Sequence, residues 1–255
     1  MLRHMTPAQE ADLYIALHQG THGDVRYYER ACTGAQRVLE LGAGAGRVLL
    51  PVSRVSQRCV GIELHVGMLD RARQAQVEQG IDNVKWVAGD VLQARVSGRF
   101  DRVLIPFSGL WCLPGRAAQQ RCLARAHAWL EDQGQLLLDV YAADGFKPLP
   151  LPEEPEVDAL EFLVDLTCNQ GRYQVFERST WWPSQQHLRV EYEFRPAGGA
   201  ARRRIVTEIS HHYLFTSELE RLVVEAGFRD LRWGIRGLAR RPVRADQVFL
   251  QATRA

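Results

Sequence analysis

The chain has 255 residues, of which 46% are hydrophobic and 24% are charged, and its formal net charge is +2. Such a composition is typical of a globular protein. It excludes a helical membrane protein, which needs segments of about 20 apolar residues, and the balanced charge gives no indication of nucleic-acid binding. The five cysteines are scattered without a C-x-x-C pair and no apolar signal segment opens the chain, so we expect a cytoplasmic protein with reduced thiols, no metal site and no membrane partner.

The N-terminal third combines helices with a glycine-rich loop. Residues 8–31 are predicted to form one or two helices, with Asp24 as an N-cap. An apolar strand then ends in Glu40 and is followed by Gly42, Gly44 and Gly46, and a helix is predicted from about Arg47. Glycines allow a sharp turn against a ligand, and the helix directs its free N–H groups at that loop. This order is typical of the nucleotide-binding end of a Rossmann-like sheet, but a dinucleotide fingerprint would need glycine at position 47.

Further segments at regular distances extend the pattern. Residues 59–63 form a predicted second strand that ends in Glu63, about 20 residues after the loop, where an acid can accept both hydroxyls of a ribose. Residues 83–91 contain a Gly-Asp pair before Val91, and residues 100–105 form a predicted buried strand that runs into Pro106, Phe107 and Ser108. Open α/β sheets bind their ligands at such carboxyl ends.

The segments between residues 38 and 108 together resemble the motifs of class I S-adenosylmethionine-dependent methyltransferases. The resemblance implies S-adenosylmethionine as cofactor and S-adenosylhomocysteine as product. It implies that Glu63 holds the ribose, that Asp90 receives the adenine amino group, and that Pro106 to Ser108 lie beside the methyl group. It also implies Glu40 toward the cationic end of the cofactor and Tyr28 at the methionine carboxylate. The backbone of the glycine loop is expected to contact the cofactor through Gly42, Ala43 and Gly44. Leu64 and Met68 are expected to cover one face of the adenine, and the Val91 N–H to contact the ring.

The second half of the chain changes character after residue 144. A proline-rich linker is predicted over 145–156, then antiparallel strands over 173–178, 188–194 and 204–209, a helix over 216–226 and two last strands. We therefore predict an α/β fold, a Rossmann-like seven-stranded methyltransferase sheet with helices on both faces and a small antiparallel β insertion. Its predicted parts are a helical cap with the cofactor-binding core (1–144), linker and insertion (145–212), and C-terminal helix and strands (213–255).

The layout resembles natural-product and aminosugar N-methyltransferases, and more distantly glycine N-methyltransferases. It implies a small-molecule acceptor methylated on nitrogen or oxygen, with Tyr14 from the cap and His212 from the last insertion strand as the expected catalytic pair. By strand alternation only one of His211 and His212 is expected to face the pocket. The alternatives are an RNA or protein methyltransferase, with the arginines near 202–204 and 236–244 gripping phosphates, and a non-catalytic cofactor-binding subunit. The sequence leaves open whether the chain forms a homodimer.

Overall fold

The computed structural model describes residues 5–146, 154–197, 204–236 and 247–255. Its helices are α1 (Pro7–Leu17), α2 (Asp24–Cys32), α3 (Leu49–Ser53), α4 (Val66–Glu78), α5 (Arg116–Trp129) and α6 (Thr216–Glu225). Its strands are β1 (Arg37–Leu41), β2 (Arg58–Glu63), β3 (Val84–Ala88), β4 (Phe100–Ile105), β5 (Leu130–Tyr141), β6 (Glu156–Val157), β7 (Glu161–Cys168), β8 (Gly171–Trp182), β9 (His187–Pro196), β10 (Ile205–His212), β11 (Phe228–Arg236) and β12 (Gln247–Arg254).

A seven-stranded sheet in the order β11-β12-β5-β4-β1-β2-β3 forms the centre of the described chain. Strands β1 to β5 run parallel, whereas β12 is antiparallel to β5 and β11 to β12. Strand β1 is apolar and buried at nearly every position because helices cover both faces of the sheet. The strand order reverses between β1 and β4, where the carboxyl ends of neighbouring strands diverge and leave a crevice. The predicted fold class is confirmed.

The β insertion forms a second, antiparallel sheet in the order β10-β9-β8-β6, and β7 also pairs with β8. Three of these strands match the predicted ones with longer bounds, while β6 and β7 were missed. Strand β7 carries a signal that could have revealed it, since Phe162, Leu163 and Val164 form a short apolar run and Leu166 follows after Asp165. The predicted linker lies mostly in 147–153, outside the described residues, and Glu156 already belongs to β6.

Helix boundaries differ from the predicted ones by one or two residues at several ends. Helix α2 is capped by Gly23, and the predicted N-cap Asp24 is instead its first residue. Helix α3 begins only at Leu49, and α6 begins at Thr216 with Phe215 as its N-cap. Within the described ranges, no helix is long and apolar enough to cross a membrane.

Helix α1 is held between the main sheet's α4 and the insertion. Its Leu13 is 1% exposed and packs in one cluster with β7, β8 and β9 residues, namely Leu166, Tyr173, Val175, Tyr192 and Phe194. On the same helix, the Asp12 carboxylate accepts two hydrogen bonds from Arg71 of α4, at 2.6 and 2.9 Å, and one from Gln170 of the β7–β8 turn at 2.9 Å. One buried carboxylate therefore ties the N-terminal helix to both halves of the molecule.

Shortening Leu13 to alanine is expected to lower the free energy of unfolding by about 2–5 kcal/mol, because it leaves a cavity between α1 and the insertion sheet. Urea denaturation of Leu13→Ala against the wild type measures the difference. Val77→Ala on α4 is the matched control, since Val77 is 81% exposed and its loss should change stability by less than about 0.5 kcal/mol. Equal stability of the two variants would contradict the docking of α1 on the insertion.

Candidate functional site

A large cleft lies at the carboxyl ends of β1, β2 and β4. This main cleft has a volume of about 660 Å³ and is roofed by α1 and by β10. A side cleft of about 460 Å³ adjoins it, and both share Gly42, Gly44, Met68, Pro106 and Phe107 in their walls. The clefts therefore occupy the crevice where an open α/β sheet binds ligands.

The glycine loop after β1 leaves room for a ligand. Gly42 and Gly44 have φ of +71° and +55°, and a Cβ added at either would meet no atom within 4 Å. Gly46 differs, since its Cβ would lie 2.9 Å from the Leu50 side chain, so it serves packing. The N–H groups of Gly42 and Ala43 both donate to the Ile62 carbonyl at 2.9 Å. These two amides hold the loop to β2, so the open surface of the loop is what fits a ligand.

Glu63 is fixed in position at the end of β2. Its Oε2 accepts a hydrogen bond from the Gly44 N–H and its Oε1 accepts one from the His65 N–H, each at 2.8 Å. Each carboxylate oxygen can accept one further hydrogen bond, and Glu63 lines the main cleft. The carboxylate is thus preorganised for a bidentate pair of donors such as the two hydroxyls of a ribose.

The residues predicted around an adenine ring are brought together along the same cleft. Leu64 and Met68 line it with 69% and 8% exposure, next to Asp90 and Val91. The Asp90 Oδ1 accepts the Leu92 N–H at 2.8 Å, which fixes the carboxylate at the mouth of the β3 loop. A flat apolar slot with an acceptor at its edge matches a purine that carries an amino group.

Opposite charges meet at the side cleft. Glu40 is 2% exposed, and its Oε2 has no hydrogen-bond partner among the described residues. Burial raises the pKa of Glu40 well above its usual value, and Arg47 opposes that effect. Arg47 pairs with Asp24 at 2.8 Å and lies over the Phe107 ring at 5.3 Å from its centroid. An orphaned carboxylate oxygen beside a partly exposed guanidinium suits the ammonium and carboxylate of an amino acid.

Arg47 is a site residue that the sequence analysis missed. It was noted only as the residue that breaks a dinucleotide fingerprint. Its direction depends on the connection between α1 and α2, because a Cβ at Gly20 would lie 2.1 Å from the Arg47 guanidinium. Only a glycine at position 20 lets the chain pass so close to Arg47, and that contact joins residues far apart in sequence.

The structure corrects the role predicted for Tyr28. Its side chain is fully buried, its hydroxyl donates to the Asp139 Oδ1 at 2.5 Å, and it lines neither cleft. Helix α2 packs this ring into the core below the sheet's carboxyl ends, against β5 and β12. The tyrosine of the N-terminal helices that reaches both clefts is Tyr14.

Tyr14 and His212, the expected catalytic pair, are not brought together. Tyr14 lines both clefts, and its ring lies 4.5 Å from that of His18. His212 lines neither cleft, and its ring stacks on His187 at 4.5 Å with 7° between the planes. The β10–β9 register pairs His212 directly with His187, which decides this placement. His18 takes the position expected for His212, and sequence spacing gave no signal for it.

His18 and His211 are neutral at neutral pH. Burial lowers the pKa of His18 to about 4, and burial together with nearby His18 lowers the pKa of His211 to about 4. Burial raises the pKa of Tyr14 to about 12, so its phenol keeps its proton. In the part of the chain that the structure describes, no group of three or more His, Cys, Asp or Glu side chains could hold a metal ion.

The fold and the cleft together define a class I methyltransferase architecture, and comparison with known proteins agrees. The family described as methyltransferase domain matches residues 38–134, so this part of the chain is a methyltransferase domain. A 23S rRNA (uracil(1939)-C(5))-methyltransferase of Alkalilimnicola ehrlichii is 36% identical over 90 residues, 32% of this chain and 20% of that protein. A protein-L-isoaspartate O-methyltransferase of Nitrobacter winogradskyi is 32% identical over 117 residues, 46% of this chain and 49% of that protein. The chain thus spans a fifth to a half of these relatives.

Solved structures are similar over almost the whole chain. An S-adenosylmethionine-dependent methyltransferase from Clostridium acetobutylicum has a TM-score of 0.74 at 11% identity, covering 95% of this chain and 96% of that one. The CcbJ methyltransferase from Streptomyces caelestis has a TM-score of 0.72 at 22% identity, covering 92% of this chain and 97% of that one. The amino pentose methyltransferase CalS10 from Micromonospora echinaspora, solved with S-adenosylmethionine, has a TM-score of 0.66 at 19% identity, covering all of both chains. These structures share the fold predicted for this chain, that of class I S-adenosylmethionine-dependent methyltransferases.

Replacing Gly44 with valine is expected to abolish binding of S-adenosylhomocysteine, because the new side chain fills the open space of the loop. Calorimetric titration measures the affinity. Gly80→Val is the matched control: Gly80 follows α4 with φ +65°, and its Cβ would also meet nothing within 4 Å, but it lies outside both clefts. The two variants carry the same backbone strain, so equal affinities would show that the ligand does not use this loop.

Replacing Glu63 with alanine is expected to weaken S-adenosylhomocysteine binding by about 1.5–3 kcal/mol, roughly 10- to 150-fold, since two charge-assisted acceptors are lost. Glu63→Gln keeps one acceptor oxygen and should lie between the wild type and Glu63→Ala. The same calorimetric titration ranks the three proteins. An unchanged affinity in Glu63→Ala would reject the assignment of Glu63 to the ribose.

Proposed function

We propose that the protein is an S-adenosylmethionine-dependent N-methyltransferase of a small molecule that carries an amine on a largely apolar body. S-adenosylmethionine supplies a methyl group already activated on a sulfonium. The proposed contacts of this chain follow the geometry above: Leu64, Met68, Asp90 and Val91 toward the purine, Glu63 toward the ribose, and Glu40 and Arg47 toward the amino-acid end, beside the open loop formed by Gly42, Ala43 and Gly44, with Pro106 at the turn after β4.

The observation that carries the proposal is the chemistry of the other end of the main cleft. Aromatic and apolar residues dominate the walls there, with Tyr14, His18, Phe194 and Ile209 beside the space left by the glycine loop, and Glu10 and Glu208 add carboxylates. Among the described residues that line the main cleft, none is lysine or arginine. A polynucleotide needs cations at its phosphates, so this lining suits a small amine better than an RNA.

The protonation states favour nitrogen over oxygen as the acceptor. An alcohol must lose its proton to a base before or during attack, and an imidazole with a pKa of about 4 is too weak a base for that task. A neutral amine already carries a lone pair. It needs only a hydrogen-bond acceptor that orients its N–H, which the neutral His18 imidazole provides. Apolar walls disfavour the charged ammonium form and so keep the amine reactive.

Positioning is the chain's main contribution to such a reaction. Holding a nucleophile in line with the methyl group can supply about 7–11 kcal/mol of the barrier. The Tyr14 phenol donates and the His18 ring accepts, so the pair can fix an amine from two sides. Helix α1 covers one side of the cleft because it is packed between α4 and the insertion sheet.

The proposal agrees with the solved relatives that are named for amino sugars, such as CalS10 and the sugar N-methyltransferase KedS8. The relatives found by sequence act, by name, on rRNA and on a protein, and these remain the competing acceptor classes. In the RNA alternative, the arginines near 202–204 and 236–244 would bind phosphates. Most of them lie outside the described residues, and Arg204 pairs with Glu193 at 3.4 Å.

The decisive experiment incubates the protein with labelled S-adenosylmethionine and matched acceptors. We would offer small aromatic and sugar amines, the corresponding alcohols, bulk tRNA and a protein mixture. Label in the amines, with a rate that rises as pH passes the pKa of each free amine, supports the proposal. Label in tRNA, in protein or equally in the alcohols would overturn it, and no transfer at all despite cofactor binding would favour a binding subunit.

Removing either polar group at the acceptor end is expected to slow methyl transfer. Tyr14→Phe and His18→Ala should each lower kcat/KM at least tenfold, about 1.4 kcal/mol of barrier, while S-adenosylhomocysteine affinity stays within about twofold of the wild type. His212→Ala is the comparison variant, because its ring stacks on His187 away from the clefts. Loss of transfer in His212→Ala but not in His18→Ala would restore the pairing expected from the sequence.

A further inference from the structure

A fully buried carboxylate lies directly behind the reactive end of the cleft. Asp139, in strand β5, is 0% exposed. Its Oδ1 accepts the Tyr28 hydroxyl at 2.5 Å and the Phe107 N–H at 2.8 Å, and its Oδ2 accepts the Gln247 side-chain amide. These three partners come from α2, from the turn after β4 and from β12. Each of them is a hydrogen-bond donor, so the site is built for a carboxylate.

The turn that Asp139 holds is strained. Phe107 and Ser108 have φ of +52° and +55°, a conformation that L residues rarely adopt, and each such residue costs on the order of 1–3 kcal/mol. Two groups of Asp139 offset that cost. Its carboxylate accepts a hydrogen bond from the Phe107 N–H, and its backbone carbonyl accepts one from the Ser108 N–H at 2.9 Å. Pro106 and Phe107 line both clefts, so the strain is stored where the ligands meet.

We propose that Asp139, which lines neither cleft, is a positioning residue that shapes the reactive end by holding the Phe107–Ser108 turn in its strained conformation. The inference rests on the proposed function only in treating this end of the cleft as the place where the reaction occurs. The hydrogen bonds and the strain are features of the protein without any ligand. Tyr28 takes part in the same arrangement, because its hydroxyl and the Phe107 N–H both donate to the Oδ1 atom of Asp139.

The surroundings of Asp139 make this hold sensitive to pH. Burial raises the pKa of Asp139 to about 6, and the hydrogen bonds from Tyr28, Phe107 and Gln247 oppose that rise. The charged and titratable groups that face it are Asp24, Tyr27 and Tyr28 of α2 and Glu40 of β1, and the negative charge of Asp24 raises the pKa further. When the Asp139 carboxyl group is protonated, its own O–H faces only other hydrogen-bond donors. It therefore displaces one of these donors, and the Phe107–Ser108 turn is released.

The raised pKa of Asp139 sets the sign of its effect on stability. Because the pKa of Asp139 is higher in the folded chain than the ordinary 3.8, the folded state holds the proton more tightly between about pH 4 and 6. Its contribution to stability therefore falls as the pH rises through that window. Asp139→Asn should lack this pH dependence of stability, although its amide N–H groups face the same donors and cost it hydrogen bonds.

The test follows the backbone amide signals of Phe107 and Ser108 by NMR from pH 4.5 to 8 without ligand. We expect both amides to titrate with a shared midpoint near 6. Tyr28→Phe removes one donor to the carboxylate and should move that midpoint up by about one pH unit, the equivalent of one hydrogen bond to a charged group. Tyr27→Phe is the matched control on the same helix, whose ring packs on Phe249, and should leave the midpoint within about 0.3 unit of the wild type. Asp139→Asn should show no titration.

The outcomes divide cleanly. A shared midpoint that moves upward in Tyr28→Phe but not in Tyr27→Phe supports the proposal. Amides that do not titrate, or that respond equally to both tyrosine variants, overturn it. S-adenosylhomocysteine calorimetry on the same wild-type sample tests the proposed function separately, because a protein that fails to bind the ligand can still show the Asp139 titration, and the reverse.

Discussion

The burial of helix α1 between the main sheet's α4 and the insertion sheet is the constraint on which the site depends. The core strands alone provide an open crevice at the reversal of strand order. It becomes a roofed cleft only because Leu13 completes the insertion's apolar cluster and Asp12 joins Arg71 to Gln170. An apolar sheet face and an amphipathic helix each need a partner. Here they cover one another, and the roof over the ligand is the result.

The completed cleft changes in polarity from one end to the other. Carboxylates concentrate where the sheet's loops converge, with Glu40, Glu63 and Asp90 each fixed by burial or by backbone donors. The far end carries rings from the helix and the insertion, such as Tyr14 and Phe194, together with the carboxylates of Glu10 and Glu208. The two ends of the cleft therefore offer a ligand different surroundings. Arg47 brings the counter-charge that the acids would otherwise lack.

Behind the cleft, the buried polar groups act as a support for its walls. Asp139 gathers donors from three elements around one carboxyl group, and the strained turn after β4 depends on that arrangement. Tyr28 illustrates how a family resemblance can name the right residue type and the wrong role. Helix α2 packs the Tyr28 ring into the core against β5 and β12, so its hydroxyl meets Asp139 and not the cleft.

The sequence by itself determined the features that depend on neighbours along the chain. Strand patterns, the glycine spacing and the acids at strand ends, together with the family resemblance that they support, predicted the seven-stranded sheet. They also named residues that line the main cleft, including Glu63, Asp90 and Met68. Features that join distant segments were decided only by the tertiary structure. Gly20 packs against the Arg47 guanidinium although the two are far apart in sequence, and the β9–β10 register pairs His212 with His187, on which its ring stacks. Local patterns fix which face of a strand or helix is apolar, but the direction of a polar side chain depends on what packs against it.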